Sequence, residues 1–302
     1  MNSLQNFESQ TGLKLDEKIE KGLADCTIYH ATDSDGIKLV VKIDTSPRGI
    51  AEINDNLFGY NSISELGAAT VLPSPIRFIE SDLGPALVLP YLGEDYLTTS
   101  NTPNSVLTNF IALKRSFGEV YSSVVIQSQE VNIDSLQNIL DRISERVKRF
   151  FEKGISGYND CADLSTIDVK GISGKNNSLF ILDFTPSNLF IVDKKAIFID
   201  PWKQTTYMGS PLLSLGQFIT YAEESYELPG FNNENLQYLD FIQRVGKNLG
   251  LSESQTRLQF LIGQTLQYSL SAYYRIESQP EKANRFLKKM RKNIKELREY
   301  NT

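Results

Sequence analysis

One histidine, two cysteines and one tryptophan are all that 302 residues hold of those types. A single His30 excludes His-rich zinc sites and leaves a nucleophile–base–acid triad only one candidate base. Cys26 and Cys161 are too far apart to read as a metal-ligand motif or a disulfide framework, which fits a reducing cytoplasm. No apolar run approaches the ~18 residues that a membrane span needs. Met1 to Gln10 lacks the basic-then-apolar pattern of a secretory leader, so a cytoplasmic chain with no membrane partner is expected. Excess positive charge is missing too. Lys and Arg number 31 against 37 Asp and Glu, a net charge of −6 that speaks against nucleic acid as a partner. Internal repeats and low-complexity tracts are likewise absent. Apolar volume is not scarce: 40% of residues are hydrophobic, with 14 Tyr and 16 Phe, enough for one large or two modest lobes.

The first part of the chain reads β-β-β-α-β-β. Leu15 to Lys21, Cys26 to Thr32 and Ile37 to Ile43 have strand character, with Asp33-Ser-Asp-Gly36 as a tight turn. Ser46-Pro47 has the form of a helix cap followed by Pro at the first helical position. That helix should run to about Leu66, stopped by Val71-Leu-Pro73-Ser-Pro75. Two further strands are expected at Ile76–Glu80 and Ala86–Pro90. Past Tyr91 helices dominate, at 105–121, 135–151, 213–226, 234–249, 253–277 and 281–299. The last carries eight Lys or Arg around an apolar stripe and reads as a docked helix with a solvated basic face. The expected fold class is α+β and bilobal. Residues 1–90 form a small β-rich lobe and residues 91–302 a larger helical lobe, with a cofactor cleft between them.

The chemistry concentrates in Leu179-Phe-Ile-Leu-Asp183-Phe-Thr-Pro186-Ser-Asn188-Leu-Phe-Ile-Val192, Asp193-Lys-Lys195 and Ala196-Ile-Phe-Ile-Asp200-Pro-Trp202. Two apolar runs around a short Asp-Lys-Lys turn read as a β-hairpin, which returns Asp200 to the end where Asn188 opens it. Asp-x-x-x-x-Asn alone would match by chance roughly once in 400 positions. Its weight comes from the strand before it, the hairpin after it and the second Asp beyond. Phosphoryl transfer needs phosphates neutralised, metal ions fixed and an acceptor hydroxyl deprotonated late. Asp183 would be the base, and Asn188 and Asp200 would offer hard oxygens to magnesium. Lys42 lies inside the apolar run Leu39-Val-Val-Lys42-Ile43, where a buried ammonium needs a partner, and a phosphate supplies one. Gly22 would let backbone approach the phosphates closely.

In that order these residues resemble the protein-kinase-like superfamily, and within it the aminoglycoside phosphotransferase and choline kinase branch. Glu20-Lys-Gly22-Leu-Ala is similar to that branch's loop between the first two strands. Val71-Leu-Pro73-Ser-Pro75-Ile76 is similar to its Val-Pro-x-Pro turn, and Gly209-Ser-Pro211-Leu-Leu-Ser-Leu to its Gly-x-Pro-x-x-Asp-Leu segment. The likeness covers about Lys14 to Phe218. It implies ATP and Mg2+ as cofactors, Lys42 and Gly22 at the phosphates, and Leu89 and Tyr91 beside the nucleotide. The sequence departs from the pattern at Ile181, where the family has His, and at Ser214, where it has Asp. It departs also at the helix glutamate that should pair with Lys42. Asn61 falls at the expected inward position, on a stripe with Ile50 and Leu57, while Glu52 and Glu65 sit a turn or more away. Either a neutral amide holds the lysine, or the helix is shifted and Glu65 does.

Three functions remain open. The favoured one is a kinase that phosphorylates a hydroxyl of a small molecule, because the stretch from Asp200 to Pro211 is too short to seat a peptide. The others are a kinase with a protein partner docked on the C-terminal helices, and a nucleotide-binding module without catalysis.

Overall fold

The computed structural model describes residues 3–19, 26–65, 69, 72–93, 133–155, 178–181, 188–193, 195–201, 206–209, 211–226 and 235–299. Gly22, Asp183 and the helix expected at 105–121 lie outside the described residues. The chain divides into two compact units. One comprises Met1–Ser100, Thr108–Val120 and Ser187–Thr206, and the other Asn101–Leu107, Tyr121–Pro186 and Tyr207–Thr302.

The first unit is built on five antiparallel strands: β1 (Lys14–Lys18), β2 (Thr27–Thr32), β3 (Lys38–Ile43), β4 (Arg77–Ser81) and β5 (Gly84–Pro90). Their spatial order is β1-β2-β3-β5-β4. Side chains alternate across a strand, so register decides which residues share a face. Val41 pairs with Tyr29 and Val88, and Ile43 with Thr27 and Ala86. That face buries Ala31, Leu39, Val41, Ile43, Ala86 and Val88 against Phe7 and Leu13. Phe7 comes from α1 (Ser3–Thr11), a helix absent from the sequence reading. Asn6 and Gln10 of α1 both donate to Asp82 in the β4–β5 turn, at 2.6 and 2.8 Å. The opposite face carries Lys42, paired with Ile28 and Leu87, and Val40, paired with His30 and Leu89.

Helix α2 (Pro47–Glu65) follows β3. Ser46 caps it, its Oγ accepting from Gly49 N at 3.1 Å, and Pro47 opens it where no amide hydrogen is needed. Its inward stripe is Gly49, Glu52, Ile53, Asn56, Gly59, Tyr60 and Ile63, stepping by three and four. The same unit contains the hairpin of β7 (Leu189–Val192) and β8 (Lys195–Phe198), at the residues where the sequence indicated a hairpin, which the sequence reading groups with residues 91–302. Asp193 turns it with φ 49°, the left-handed conformation that a tight hairpin turn requires.

The second unit is helical. It holds α3 (Ile133–Glu152), α4 (Pro211–Tyr226), α5 (Asn235–Asn248), α6 (Glu253–Arg275) and α7 (Pro280–Glu299), with a short pairing of β6 (Ser178–Ile181) and β9 (Thr206–Gly209). Helix α6 is central, with a capping box between Ser252 and Gln255 at its start. One core joins Leu140, Val147, Leu213, Leu261, Phe286 and Met290. Where α4 crosses α6 the two backbones nearly touch. A Cβ on Gly263 would lie 2.1 Å from Leu213 O, and one on Gly216 would lie 2.4 Å from Phe260 O. Gly263→Ala is therefore expected to lose roughly 1–3 kcal/mol through overpacking, outweighing the ~1 kcal/mol that Ala gains over Gly in helix propensity. A urea midpoint at or above that of the wild type would contradict the close approach. Among the described residues no helix is long and apolar enough to cross a membrane.

Candidate active site

Strand β3 presents Lys42 to α2, and the closing end of the β7–β8 hairpin brings Asp200 to meet it. Lys42 Nζ donates to Asp200 Oδ1 at 2.5 Å and to Asn56 Oδ1 at 2.9 Å. The Lys42 side chain is 4% exposed and the Asp200 side chain 27%. Burial works against the charge on Lys42. The Asp200 charge and hydrogen bond outweigh it, helped by Cys26 and Glu52, so the lysine pKa stands above its ordinary value.

Asp200 has φ 59°, a left-handed conformation that is uncommon outside glycine, although Asp tolerates it better than most residues. Contacts from α2 hold the turn. The amide of Asp200 donates to Tyr60 Oη at 3.2 Å, and Asn56 Nδ2 donates to Pro201 O at 3.3 Å. Between these residues Gly59 leaves the room that Pro201 occupies, since a Cβ there would lie 2.3 Å from Pro201 O. Burial first, and then the Asp200 charge, push the Tyr60 phenol well above its ordinary pKa, so it stays protonated. Asn56 thus uses both ends of its amide, one for the lysine and one for the Asp200–Pro201 turn. It is fully buried.

This corrects the sequence reading of α2. Asn61, expected to support Lys42, is exposed, and so is Glu65. The stripe runs through Ile53, Asn56 and Tyr60 instead of Ile50, Leu57 and Asn61. Asn56 was missed because a polar residue flanked by Asn54, Asp55 and Leu57 gives no apolar signal. The usable clue was the spacing of Gly49, Ile53, Tyr60 and Ile63. Glu52 is buried on the same stripe, one turn before Asn56. It accepts from Cys26 N at 3.2 Å and from Cys26 Sγ at 3.5 Å.

The Cys26 thiol is pushed up to about 12, by burial above all. Lys42 pulls it down, while the charges of Glu52 and Asp200 and the Glu52 hydrogen bond push it up. An acid whose folded pKa lies above its ordinary value of 9.0 keeps its proton in the folded chain after the unfolded chain has lost it. Its contribution to stability is complete below pH 9 and declines as pH rises toward 12. Two outcomes are expected. Peptide-resolved alkylation at pH 8.5 should modify Cys26 far more slowly in the folded chain than in urea. Cys26→Ala should flatten the fall in stability above pH 9. Rapid alkylation in the folded state would contradict the burial.

The remaining candidates fall into place by register. Leu89 lies on the Lys42 face, buried, opposite Val40. Tyr91 extends the strand through its amide, which donates to Lys38 O at 3.2 Å. Its ring meets His30 edge-on at 5.3 Å and lies under the Lys38 ammonium at 5.7 Å. Asn188 opens β7, and its carbonyl accepts from Ile199 N at 2.9 Å, beside Asp200. The structure therefore brings together Lys42, Leu89 and Tyr91 on one sheet face, and Asn188 and Asp200 at one end of the hairpin.

Asn188 and Asp200 supply hard oxygen donors of the kind magnesium takes, and Asp200 is accessible enough to offer one. Among the described residues no three acidic, His or Cys side chains gather into a metal site. A cation here would thus complete its shell with water and with phosphate oxygens, which is how magnesium is commonly held. The donor set fits a metal–phosphate ligand better than a protein-only cage.

The sequence matches no family model and shows no significant similarity to a curated protein. Solved structures do match along the whole chain. One is a choline kinase from Cryptosporidium parvum Iowa II, at 11% identity, covering 97% of this chain and 92% of that chain with a TM-score of 0.57. Another is the amicoumacin kinase hAmiN in complex with AMP-PNP, Ca2+ and Ami, at 10% identity, 98% and 94% coverage and a TM-score of 0.55. A third is a variant of aminoglycoside 2'-phosphotransferase-IIIa in complex with GDP, at 10% identity, 99% and 98% coverage and a TM-score of 0.53. At these identities the likeness is one of fold. The chain has the α+β, protein-kinase-like fold shared by aminoglycoside phosphotransferases and choline kinases.

Proposed function

We propose that this chain is an ATP-dependent phosphotransferase that moves the γ-phosphate to a hydroxyl of a small molecule. The observation that carries the reading is the Lys42–Asp200 pair, placed by β3 and the hairpin on the sheet face that also holds Leu89 and Tyr91. A phosphate-binding lysine and a metal-binding carboxylate must lie within reach of one another if both are to serve one triphosphate. Solved proteins of this fold were captured with GDP and with AMP-PNP and Ca2+, which is in keeping with a nucleotide and a divalent cation here.

In this reading Leu89 and Tyr91 border the base, Lys42 and Gly22 take the phosphates, and Asn188 and Asp200 hold Mg2+. The bound cation would supply charge neutralisation at the transferring phosphoryl group. Asn56 and Tyr60 keep Asp200 in its left-handed turn, so the carboxylate is aimed before any ligand arrives. Asp183 orients the acceptor hydroxyl and takes its proton late in the transfer. The short stretch between Asp200 and Pro211 favours a small acceptor over a protein, and a cytoplasmic location belongs to the same proposal.

A nucleotide-binding module without catalysis is the second reading, and the neutral Asn56 beside Lys42 is what favours it, since an amide holds an ammonium less firmly than a carboxylate does. Measuring ATP consumption with Mg2+ across alcohols, sugars and aminoglycosides separates the two. Stimulation by at least one class of hydroxyl compound is expected. Nucleotide binding with no turnover under any of them would favour the module.

A further inference from the structure

Helix α3 enters the core of the helical unit through Leu140, Ile143, Val147 and Phe150, and Phe150 meets Tyr273 near the end of α6 with ring centroids 6.2 Å apart. Beside that apolar stripe runs a basic one. Arg142, Arg146, Arg149 and Lys153 step by four, three and four residues, so they share a face. Its last two members have counter-ions. Arg149 donates to Glu145 at 2.5 Å, and Lys153 donates to Glu277 at 2.6 Å and lies 5.7 Å over the Tyr273 ring. Arg146, in the middle of the row, differs from both. Its Nη1 is buried with no hydrogen-bond partner, and among the described residues no carboxylate lies within ion-pair distance of it.

A guanidinium withdrawn from water without an acceptor is costly to keep. Burial holds the Arg146 pKa below its ordinary value, and the charges of Arg142 and Arg149 push it the same way. The groups that favour its charge are the phenols of Tyr274 and Tyr273, which are neutral at pH 7 and supply no counter-charge. The partner that fits is an anion. Arg142 stands one turn earlier and its charge acts on Arg146, so two guanidinium groups serve one place. A carboxylate needs one such fork, whereas the oxygens of a phosphate group can use two. The rest of the Arg146 side chain is partly exposed, and Tyr274 beside it is 63% exposed, which leaves the place open to solvent.

We propose that this junction of α3 and α6 is an anion site that takes a phosphate group, free or as a phosphate ester, on Arg146 and Arg142, with the Tyr274 hydroxyl at its edge. All of these residues belong to the helical unit and none to the unit that holds Lys42 and Asp200, so the site does not rest on the phosphotransferase reading. Binding breaks neither neighbouring pair, since Arg149 keeps Glu145 and Lys153 keeps Glu277. The burial that opposes a lone charge on Arg146 strengthens its attraction to a bound anion.

Calorimetric titration of inorganic phosphate into the full-length wild type and Arg146→Met tests the site. The variant is expected to bind at least about tenfold more weakly, the factor for losing one charge-assisted hydrogen bond. Thermal melts without phosphate add a second sign. An apolar side chain removes the unpaired buried charge, so Arg146→Met is expected to melt at or above the wild type, and phosphate is expected to raise the wild-type midpoint more than the variant's. Arg146→Gln replaces the Met variant if that one does not fold. Glycerol phosphate, titrated in the same way, assigns the site to an ester if it binds more tightly than phosphate and to the free ion if it binds more weakly. Equal phosphate affinity in wild type and variant, which would put the ion elsewhere, or no binding to either overturns the site. Acetate binding as tightly as phosphate overturns the choice of ligand, and melts below the wild type in both variants overturn the premise that Arg146 is unpaired.

Discussion

Asp183→Ala is expected to slow phosphoryl transfer by about 10²–10⁴-fold, the range for losing a general base, and to leave nucleotide affinity largely intact. The split follows from what the residue touches in the proposed reaction. In that proposal Asp183 would face the acceptor hydroxyl, whereas the phosphates and the cation are assigned to Lys42, Asn188 and Asp200. The assignment rests on its place five residues before Asn188, with Pro186 between them and a hairpin that the structure displays directly after. Steady-state kinetics with Mg2+, ATP and an active acceptor provide the measurement, with kcat falling and the KM for ATP nearly unchanged. Turnover at the wild-type rate would move the base elsewhere.

Asp200→Ala is expected to have two large effects that one thermal-melt series can separate. The first is on the chain alone. Lys42 loses the one carboxylate within ion-pair distance among the described residues, in a setting where its side chain is 4% exposed. Stranding one partner of a fully buried pair costs about 3–5 kcal/mol. Asp200 is 27% exposed, so water offsets part of that, and a loss at or below the lower end of the range is expected. The second effect is on ligand response. In the wild type, Mg2+ and ATP at about a hundred times their Kd should stabilise the fold by about 2.7 kcal/mol. In the variant, adding Mg2+ to the nucleotide should contribute nothing further. Equal magnesium-dependent stabilisation of both proteins would remove Asp200 from the metal site.

Sequence periodicity revealed most of the elements, and most clearly strands β3 and β5 and helices α3 and α7, whose apolar residues recur at the strand or helix period. It failed where burial is bought with polar contacts. Helix α1 fully buries only Phe7 from a mostly polar sequence and is fastened by Asn6 and Gln10 to Asp82, which lies 76 and 72 residues away in the chain. Strand β9 is four residues long, too short to show a period. The phase of α2 was misjudged because its inward stripe mixes Gly49, Glu52, Asn56 and Gly59 with apolar residues, while Phe58 on the outer side is 48% exposed. Lys42, Asn188 and Asp200 could be singled out as candidates because a charge in an apolar run and carboxamide and carboxylate groups at hairpin ends are conspicuous. Their direct pairing could not. The lysine and the aspartate are 158 residues apart, and nothing local to either names the other.

The measurement that bears most directly on the phosphotransferase proposal is transfer of label from [γ-32P]ATP. Purified chain is incubated with Mg2+ and acceptors that carry free hydroxyls, including amino alcohols and aminated sugars, beside Asp183→Ala. Label is expected to appear on an organic acceptor, to require Mg2+, and to fall to near background in the variant. Nucleotide that binds with no label leaving ATP for any acceptor, or label transfer indifferent to Mg2+ and to Asp183, would contradict the account.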